Sequence, residues 1–233
     1  PTARLLSEAL EAALANNLSA NEKTLLARIE KLRRQLNFCF KRMVTDDYGA
    51  WDGSGKSRPA QAQLTVARTS WSSKSRFWAT LLFLIIRKAQ PRQGLELGTN
   101  LGISAAYQTQ AMQLNGAGHL TTIEGAPASA ALARKHLQTL GFTNVNVVTG
   151  KFQDVLPKVL ADIQLTDYVF IDGHHDEQST LNYFQQILPH LSDHAIVVLD
   201  DISWSQGMRR AWQTITANPA VLYAVDLYVL GIC

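Results

Sequence analysis

Short apolar runs alternate with amphipathic segments over the second half of the chain. Between the runs, segments such as ISAAYQTQAMQL and EQSTLNYFQQILPHL carry apolar residues at helical spacing. Strands that alternate with helices predict a doubly wound, mostly parallel α/β sheet with helices on both faces. The final AVLYAVDLYVLGIC is again strand-like and leaves room for only a short antiparallel hairpin. Five runs have the length and composition of buried strands: GLEL at 94–97, HLTTIE at 119–124, VNVVT at 145–149, DYVFID at 167–172 and AIVVLD at 195–200.

The N-terminal residues favour helix from Ala3 to Met43. Ser19 and Glu22, in SANE, have the spacing of a capping box, which predicts that a second helix begins there. A further helix is predicted over 74–89. The second helix carries an apolar stripe that we expect to pack on the main domain or on a second subunit, as in a homodimer. Its members are Leu25, Leu26, Ile29, Leu32 and Leu36.

These patterns divide the chain into a helical extension over 1–45, a loop or lid over 46–69 and a main domain over 70–233. The loop contains GAWDGSGKS at 49–57, which is similar to a phosphate-binding P-loop. The glycine spacing is wrong for that motif, and the preceding KRMVTDDY is too polar to be a buried strand. We therefore interpret the segment as a lid or a subunit contact, with Lys56 and Arg58 available to an acidic substrate.

Composition narrows the classes of function. The 233 residues are 46% hydrophobic with a net charge of +3, and no basic stripe indicates nucleic-acid binding. Two distant cysteines argue against a disulfide framework or a thiolate metal site. The most apolar run, FWATLLFLII, is shorter than the roughly 20 residues of a membrane span, and we see no signal peptide. We expect a cytoplasmic protein that binds neither a membrane nor nucleic acid.

Acidic side chains lie at the carboxyl ends of four of the five predicted parallel strands. They are Glu96, Glu124, Asp172 and the pair Asp200 and Asp201. A single acidic residue in such a place often caps the next helix, but four together favour a ligand, because ligands bind outside the carboxyl ends of parallel strands. Carboxylates on adjacent strand ends repel one another unless a hard cation such as Mg²⁺ or Ca²⁺ neutralises them.

The segment QGLELGTNLGIS at 93–104 leads from a strand through a glycine turn into a helix. Its two glycines, Gly98 and Gly102, lack the third glycine of the dinucleotide fingerprint. Glu124 ends the next strand, where an acidic side chain can accept hydrogen bonds from both hydroxyls of a ribose. The pattern favours an adenosine-containing ligand. A non-catalytic or NAD-type nucleotide-binding module on a similar sheet is the alternative.

Five motifs, in this order and spacing over about residues 70–230, resemble those of class I S-adenosylmethionine-dependent methyltransferases. The resemblance points to the small-molecule O-methyltransferases of the catechol and caffeoyl-CoA type and their bacterial relatives. It implies a seven-stranded, Rossmann-like sheet and S-adenosylmethionine as cofactor. The motifs are LELGTNLGISAAY, TIEGAPASAALA, VNVVTGKFQDVLP, DYVFIDGHHDEQSTLNYF and IVVLDDISWSQGM.

The resemblance implies how each motif would bind the cofactor. Glu124, followed by Gly125, would hold the ribose hydroxyls, and Phe152 with Gln153 would border the adenine. Ser73, in SWSSKSRFW, would meet the cofactor carboxylate. The turn around the methionine part would comprise Glu96, Gly98, Thr99, Gly102 and Ser104.

The resemblance also implies a catalytic centre. Asp172 would lie beneath the cofactor amino group and, with Asp200 and Asp201, would bind Mg²⁺ or Ca²⁺. Catechol-type enzymes have Asp-Asn where this chain has Asp200-Asp201, and a lysine where counting gives His175. Because imidazole exchanges protons near neutral pH, His175 is the candidate base that takes the proton of an acceptor hydroxyl. Alternatively, His175 supports neighbouring residues of the site or starts the next helix. Trp204, shortly after the acidic pair, is a candidate wall of the substrate pocket.

Overall fold

The computed structural model describes residues 2–45 and 62–233. The segment GAWDGSGKS, with Lys56 and Arg58, lies outside the described residues, as does most of the predicted loop or lid. Helix α1 spans Thr2–Leu14 and helix α2 spans Ala20–Asn37. The predicted capping box at the start of α2 is confirmed: the Ser19 side chain accepts from the Glu22 amide, and the Glu22 carboxylate accepts from the Ser19 amide.

The N-terminal prediction is wrong after Asn37. Strand β1, Arg42–Thr45, pairs antiparallel with strand β2, Ala62–Thr65, so the polar KRMVTDDY does contribute a strand. This two-stranded hairpin is separate from the main sheet, and Val44 is half exposed, so the strand has no need of the apolar run that marks a buried one. Helix α3, Val66–Trp71, follows directly, and its first four residues lie in the region predicted as a loop.

The main sheet has seven strands. They are β3 Gln93–Leu97, β4 His119–Glu124, β5 Val145–Thr149, β6 Thr166–Ile171, β7 Leu191–Leu199, β8 Val225–Asp226 and β9 Gly231–Ile232. Their order is β5-β4-β3-β6-β7-β9-β8, with β3 to β7 parallel and β8 and β9 antiparallel. The predicted sheet is confirmed, and the last hairpin is short, with two residues in each strand.

Helices cover both faces of this sheet. Alternating strand residues explain the two layers, because Tyr168 and Phe170 belong to one buried cluster while Val169 and Ile171 belong to the other. The helices α4, α5 and α6 contribute to the first cluster, and α7, α8 and α9 to the second. The helices are α4 Arg76–Ala89, α5 Ile103–Leu114, α6 Pro127–Leu140, α7 Phe152–Ile163, α8 Glu177–Ile187 and α9 Gln206–Thr216, with a 3₁₀ turn at Leu188–His190.

The N-terminal helices pack on the main domain. Leu6 and Ala9 of α1 and Leu26 and Ile29 of α2 are buried in the same cluster as the apolar residues of α4 and α5. The predicted packing of the α2 stripe on the main domain is therefore observed, and the extension shares the main core.

Candidate active site

Parallel pairing brings the ends of four strands to one edge of the sheet. The chain stays paired just beyond the strands: the Asp172 amide donates to the Leu97 carbonyl at 2.8 Å, and the Asp200 amide donates to the Ile171 carbonyl at 2.9 Å. β3 occupies the centre of this edge, between β4 and β6: the chain runs from β3 through β4 to β5 on one side and then crosses to β6 on the other. Such a reversal point is where parallel α/β sheets bind ligands.

The turn after β3 depends on Gly98. Its φ of 106° is a conformation that residues with a side chain rarely adopt. A Cβ atom at this position would lie 1.8 Å from the Asp172 carbonyl oxygen, so the two backbone segments could not approach as they do. Gly102, with a φ of 87°, caps the start of helix α5. The turn thus places the amino end of α5 at the edge of the sheet where the parallel strands end, here called the ligand edge. The dipole of α5 favours negatively charged groups at that end.

Three of the predicted turn residues form a buried network beneath that turn. Thr122 donates to Glu96 Oε2 at 2.6 Å and Gln108 donates to Glu96 Oε1, while Thr99 lies 2.6 Å from the Thr122 hydroxyl. Ser104 also hydrogen bonds to Glu96, whose burial raises the pKa of this carboxyl to about 7. Glu96 and Thr99 are fully buried, so their side chains support the turn from below instead of lining the edge.

Glu124, at the end of β4, is held by two backbone amides. Its Oε2 accepts from Asn100 at 2.7 Å and its Oε1 accepts from Ala126 at 2.9 Å. Burial raises the pKa of this carboxyl, and repulsion from Asp172 adds to the effect. Gly125 follows and is only partly buried. Asn100 lies within the glycine turn, where its φ is 50°. Its hydrogen bond to Glu124 therefore links the turn to the end of β4.

Phe152 and Gln153 open helix α7 at the same edge, but they face different surroundings. Phe152 is buried, with its ring centroid 5.5 Å from those of His174 and Tyr183, while Gln153 is exposed. The Tyr183 hydroxyl lies 2.9 Å from His174 Nδ1, and burial lowers the pKa of His174. Phe152 is therefore one member of a buried aromatic cluster at this edge of the sheet, together with His174 and Tyr183.

The remaining acidic residues surround His175 and Lys74. His175 Nε2 lies 3.6 Å from Asp172 Oδ1, and His175 Nδ1 lies 3.6 Å from Asp201 Oδ2. Lys74 Nζ hydrogen bonds to Asp200 Oδ2 and lies 3.9 Å from Asp172 Oδ2. His175 precedes α8, whose N-cap is Asp176, so His175 does not itself cap that helix.

The backbone at this centre is strained. His174, His175 and Asp201 have φ angles of 61°, 48° and 52°, which cost energy in residues other than glycine. Such strain is found where the surrounding structure fixes a side chain for function. The amide of Trp204 donates to the Asp201 carbonyl at 2.9 Å, and its side chain is 60% exposed.

Comparisons with known proteins agree with this architecture. A family profile described as a methyltransferase domain matches residues 95–202, from β3 to the acidic pair after β7. A catechol O-methyltransferase from Niastella koreensis is 33% identical over 166 residues, which are 65% of this chain and 73% of the relative. This chain belongs to the class I S-adenosylmethionine-dependent methyltransferases.

Two solved structures are also similar to this chain. An O-methyltransferase from Streptomyces achromogenes involved in tomaymycin synthesis, solved with S-adenosylmethionine, is 27% identical with a TM-score of 0.57, over 63% of this chain and 70% of that one. A methyltransferase from Podospora anserina, bound to S-adenosylhomocysteine, shares the fold over 94% of both chains with a TM-score of 0.64 and 15% identity. With the family profile and the catechol O-methyltransferase similarity, the alternative of a non-catalytic or NAD-type nucleotide-binding module is not favoured.

Sequence patterns alone did not indicate two polar side chains of this site, those of Asn100 and Lys74. Asn100 lies inside the GTNLG motif, and its side chain donates to the Thr69 carbonyl and to Ser72 Oγ at 3.2 and 3.1 Å. Lys74 adjoins the predicted Ser73, but nothing in a serine-rich segment indicates a partner 126 residues away. The signal that could have indicated Lys74 was the excess of carboxylates at the strand ends, because buried carboxylates need a nearby positive charge.

Several polar atoms at the methyltransferase site are buried without a partner. They are Ser73 Oγ, Asn100 Oδ1 and Asp200 Oδ1. Buried polar atoms usually have hydrogen-bond partners, so these positions are suited to a polar ligand. Over residues 2–45 and 62–233, no group of three or more His, Cys, Asp or Glu side chains is arranged to hold a metal ion. In the same ranges, no helix combines the length and the apolar character that a membrane span requires.

Proposed function

We propose that this methyltransferase transfers the methyl group of S-adenosylmethionine to an oxygen atom of a small molecule. The observation that carries the proposal is the juxtaposition of the Gly98 turn, Glu124 and Asp172 at the reversal point of the sheet. The catechol O-methyltransferase similarity, at 33% identity, supports an oxygen acceptor. Bound S-adenosylmethionine would supply a methyl group already activated on a sulfonium sulfur.

The site has suitable groups for each part of the cofactor. The two Glu124 oxygens, oriented by amides, suit the ribose hydroxyls, and the Asp172 carboxylate suits the amino group. The unpartnered Ser73 Oγ suits the cofactor carboxylate, close to the start of α4. Phe152 and Gln153 would border the adenine, with Gly125 leaving space beside it. Glu96, Thr99 and Ser104 would act indirectly, because their side chains hold the Gly98–Gly102 turn.

The acceptor would be deprotonated by His175. Its imidazole lies between Asp172 and Asp201, 3.6 Å from a carboxylate oxygen of each, so it is placed among the acidic strand ends to receive a proton from an acceptor hydroxyl. Holding the acceptor oxygen in line with the methyl group supplies much of the rate by proximity and orientation. The protein would thus need few chemical groups beyond a base and a rigid binding site.

A divalent cation at Asp172, Asp200 and Asp201 stays a prediction, and the observed arrangement does not favour it. The Lys74 ammonium bonds one Asp200 oxygen, and the imidazole of His175 lies between the other two carboxylates. We derive no catalytic step that uses a metal. A homodimer, a cytoplasmic location and the absence of nucleic-acid partners also stay predictions.

The proposal is tested by incubating the purified protein with isotopically labelled S-adenosylmethionine and a panel of phenols, carboxylic acids and amines. We expect label in an oxygen-linked methyl group of at least one acceptor. His175→Ala should lower kcat by roughly 100-fold or more while leaving cofactor affinity within about twofold, as for loss of a general base. Label found only on nitrogen, or an unchanged kcat in His175→Ala, would contradict the proposal.

A further inference from the structure

Lys74 occupies the position where the sequence predicts a metal ion. Its ammonium bonds Asp200 Oδ2 and lies 3.9 Å from Asp172 Oδ2, so one positive charge faces two of the three predicted ligands. The ion pair is shielded from water, since the Lys74 and Asp200 side chains are 10% and 1% exposed. The electrostatic attraction between the two charges is stronger there than at the surface because little solvent screens it, and removing either partner would leave the other charge buried and unpaired.

The backbone of Lys74 is held by helix α2. Arg33 of α2 donates to the Lys74 carbonyl at 2.7 Å, and Glu30 accepts from Arg33 at 2.9 Å. Lys74 itself lies in the connection between α3 and α4, next to Ser73. The lysine is therefore held by contacts of both its backbone and its side chain.

A second cation would meet two obstacles at these carboxylates. Ca²⁺ and Mg²⁺ need about six or more oxygen ligands, but the Lys74 ammonium already bonds one Asp200 oxygen. A divalent ion on the same carboxylates would also lie close to the ammonium and be repelled by it. The third carboxylate, Asp201, is 3.6 Å from His175 and is oriented by a strained backbone with a φ of 52°.

We infer that the Lys74 ammonium replaces the divalent cation in this methyltransferase, so that Asp172 and Asp200 are neutralised from within the chain. The charge that would polarise the acceptor oxygen is then a permanent part of the protein, and turnover needs no added metal. This catalytic consequence rests on the proposed methyl transfer, whereas the absence of metal binding does not.

The inference is tested by titrating chelator-treated protein with Mn²⁺ and measuring free Mn²⁺ by electron paramagnetic resonance. We expect no stoichiometric binding to the wild-type protein at millimolar Mn²⁺. Lys74→Met removes the ammonium and leaves the carboxylates, so it should bind Mn²⁺ at least ~10-fold more tightly than wild type. The matched control is Lys88→Met, which removes a more exposed ion pair with Glu8 and should behave as wild type.

If Lys74→Met folds, either of two results would overturn the inference. One is wild-type Mn²⁺ binding as tight as that of Lys74→Met, and the other is a folded Lys74→Met that gains no Mn²⁺ binding. If Lys74→Met does not fold, wild-type binding of one Mn²⁺ that EDTA removes together with activity would overturn it. Titration with S-adenosylmethionine after EDTA separates the proposals: failure to bind the cofactor contradicts the proposed function, whatever the Mn²⁺ result.

Discussion

Gly98 sets the distance between two strand ends at the scale of a single residue. Its missing side chain lets β3 pass close to the backbone of Asp172, and its φ of 106° turns the chain toward α5. Any side chain here would meet backbone, which cannot move aside as a flexible side chain can. The glycine is therefore a geometric requirement of the ligand edge.

We predict that Gly98→Ala loses more than about 3 kcal/mol of unfolding free energy, from left-handed strain and the clash with the Asp172 carbonyl together. Gly141→Ala is the matched control, because Gly141 has a φ of 88° but a Cβ atom added there would have no other atom within 4 Å. It should lose only about 1–2 kcal/mol, the cost of a left-handed backbone in a residue with a side chain. Urea unfolding of both variants measures the difference, and equal losses would contradict the clash.

The raised pKa of Glu96 predicts that the stability of the protein depends on pH. Its pKa is raised by burial from 4.5 to about 7, so the folded state keeps its proton at pH values where the unfolded chain has lost it. The stabilisation from this proton is complete below pH 4.5 and is lost as pH rises to about 7. Glu96→Gln does not titrate, and Gln108 Oε1, which is unpartnered, can turn to accept from the new amide.

We therefore expect Glu96→Gln to gain stability relative to wild type as pH rises from 4.5 to about 7, by up to about 3 kcal/mol. Urea unfolding of both proteins at a series of pH values provides the measurement. A stability difference that is constant over this range, or one that shrinks as pH rises, would show that Glu96 is ionised in the folded protein at acidic pH.

At the scale of elements, helix α2 contributes to the main core. Ile29 is 1% exposed and belongs to the same cluster as the apolar face of α4. We predict that Ile29→Ala lowers the unfolding free energy by about 2–5 kcal/mol, as for other large-to-small core changes. Leu14→Ala, at a position that is 68% exposed, should change it by less than about 0.5 kcal/mol. Urea unfolding measures both, and a loss below about 1 kcal/mol for Ile29→Ala would mean that α2 is peripheral to stability.

The sequence predicted elements well where their hydrophobic period was strong. The boundaries of β4 and β5 agree with the predicted runs, because both strands are bracketed by polar or glycine residues. The hairpin of β1 and β2 and the short helix α3 were missed, since an exposed hairpin has no apolar run and six residues are too few for a helical period. Strand β7 begins earlier than predicted, at Leu191, in a polar stretch beside a register shift.

The positions of the site residues could be predicted from the sequence, but most of their contacts could not. The rule that ligands bind at strand ends brought Glu96, Glu124, Asp172 and Asp200 to one edge. It could not distinguish Glu96, which bonds inward to Thr122 and Gln108, from Glu124, which is bound by amides at the edge. Those differences depend on the side from which neighbouring chain segments approach, and this information is not contained in spacing along the sequence.

At the scale of the whole molecule, distant segments of the chain converge on one edge of one sheet. Helix α2 holds the backbone of Lys74, the glycine turn binds Glu124 through the Asn100 amide, and the strained residues after β6 and β7 bring His175 and Asp201 together. A ligand that binds this edge would link these segments and stabilise the fold by about 2.7 kcal/mol when present at 100 times its Kd.

Calorimetric titration of the EDTA-treated protein with S-adenosylmethionine measures whether the cofactor binds at this edge of the sheet. We expect binding of one cofactor per chain, weakened ~10-fold or more in Glu124→Gln, whose amide nitrogen cannot accept a hydrogen bond from the ribose. Asp193→Asn, an exposed residue in the first half of β7, is the charge-matched control and should bind as wild type. Absence of binding to the wild-type protein, or equal affinity in Glu124→Gln and wild type, would contradict the account.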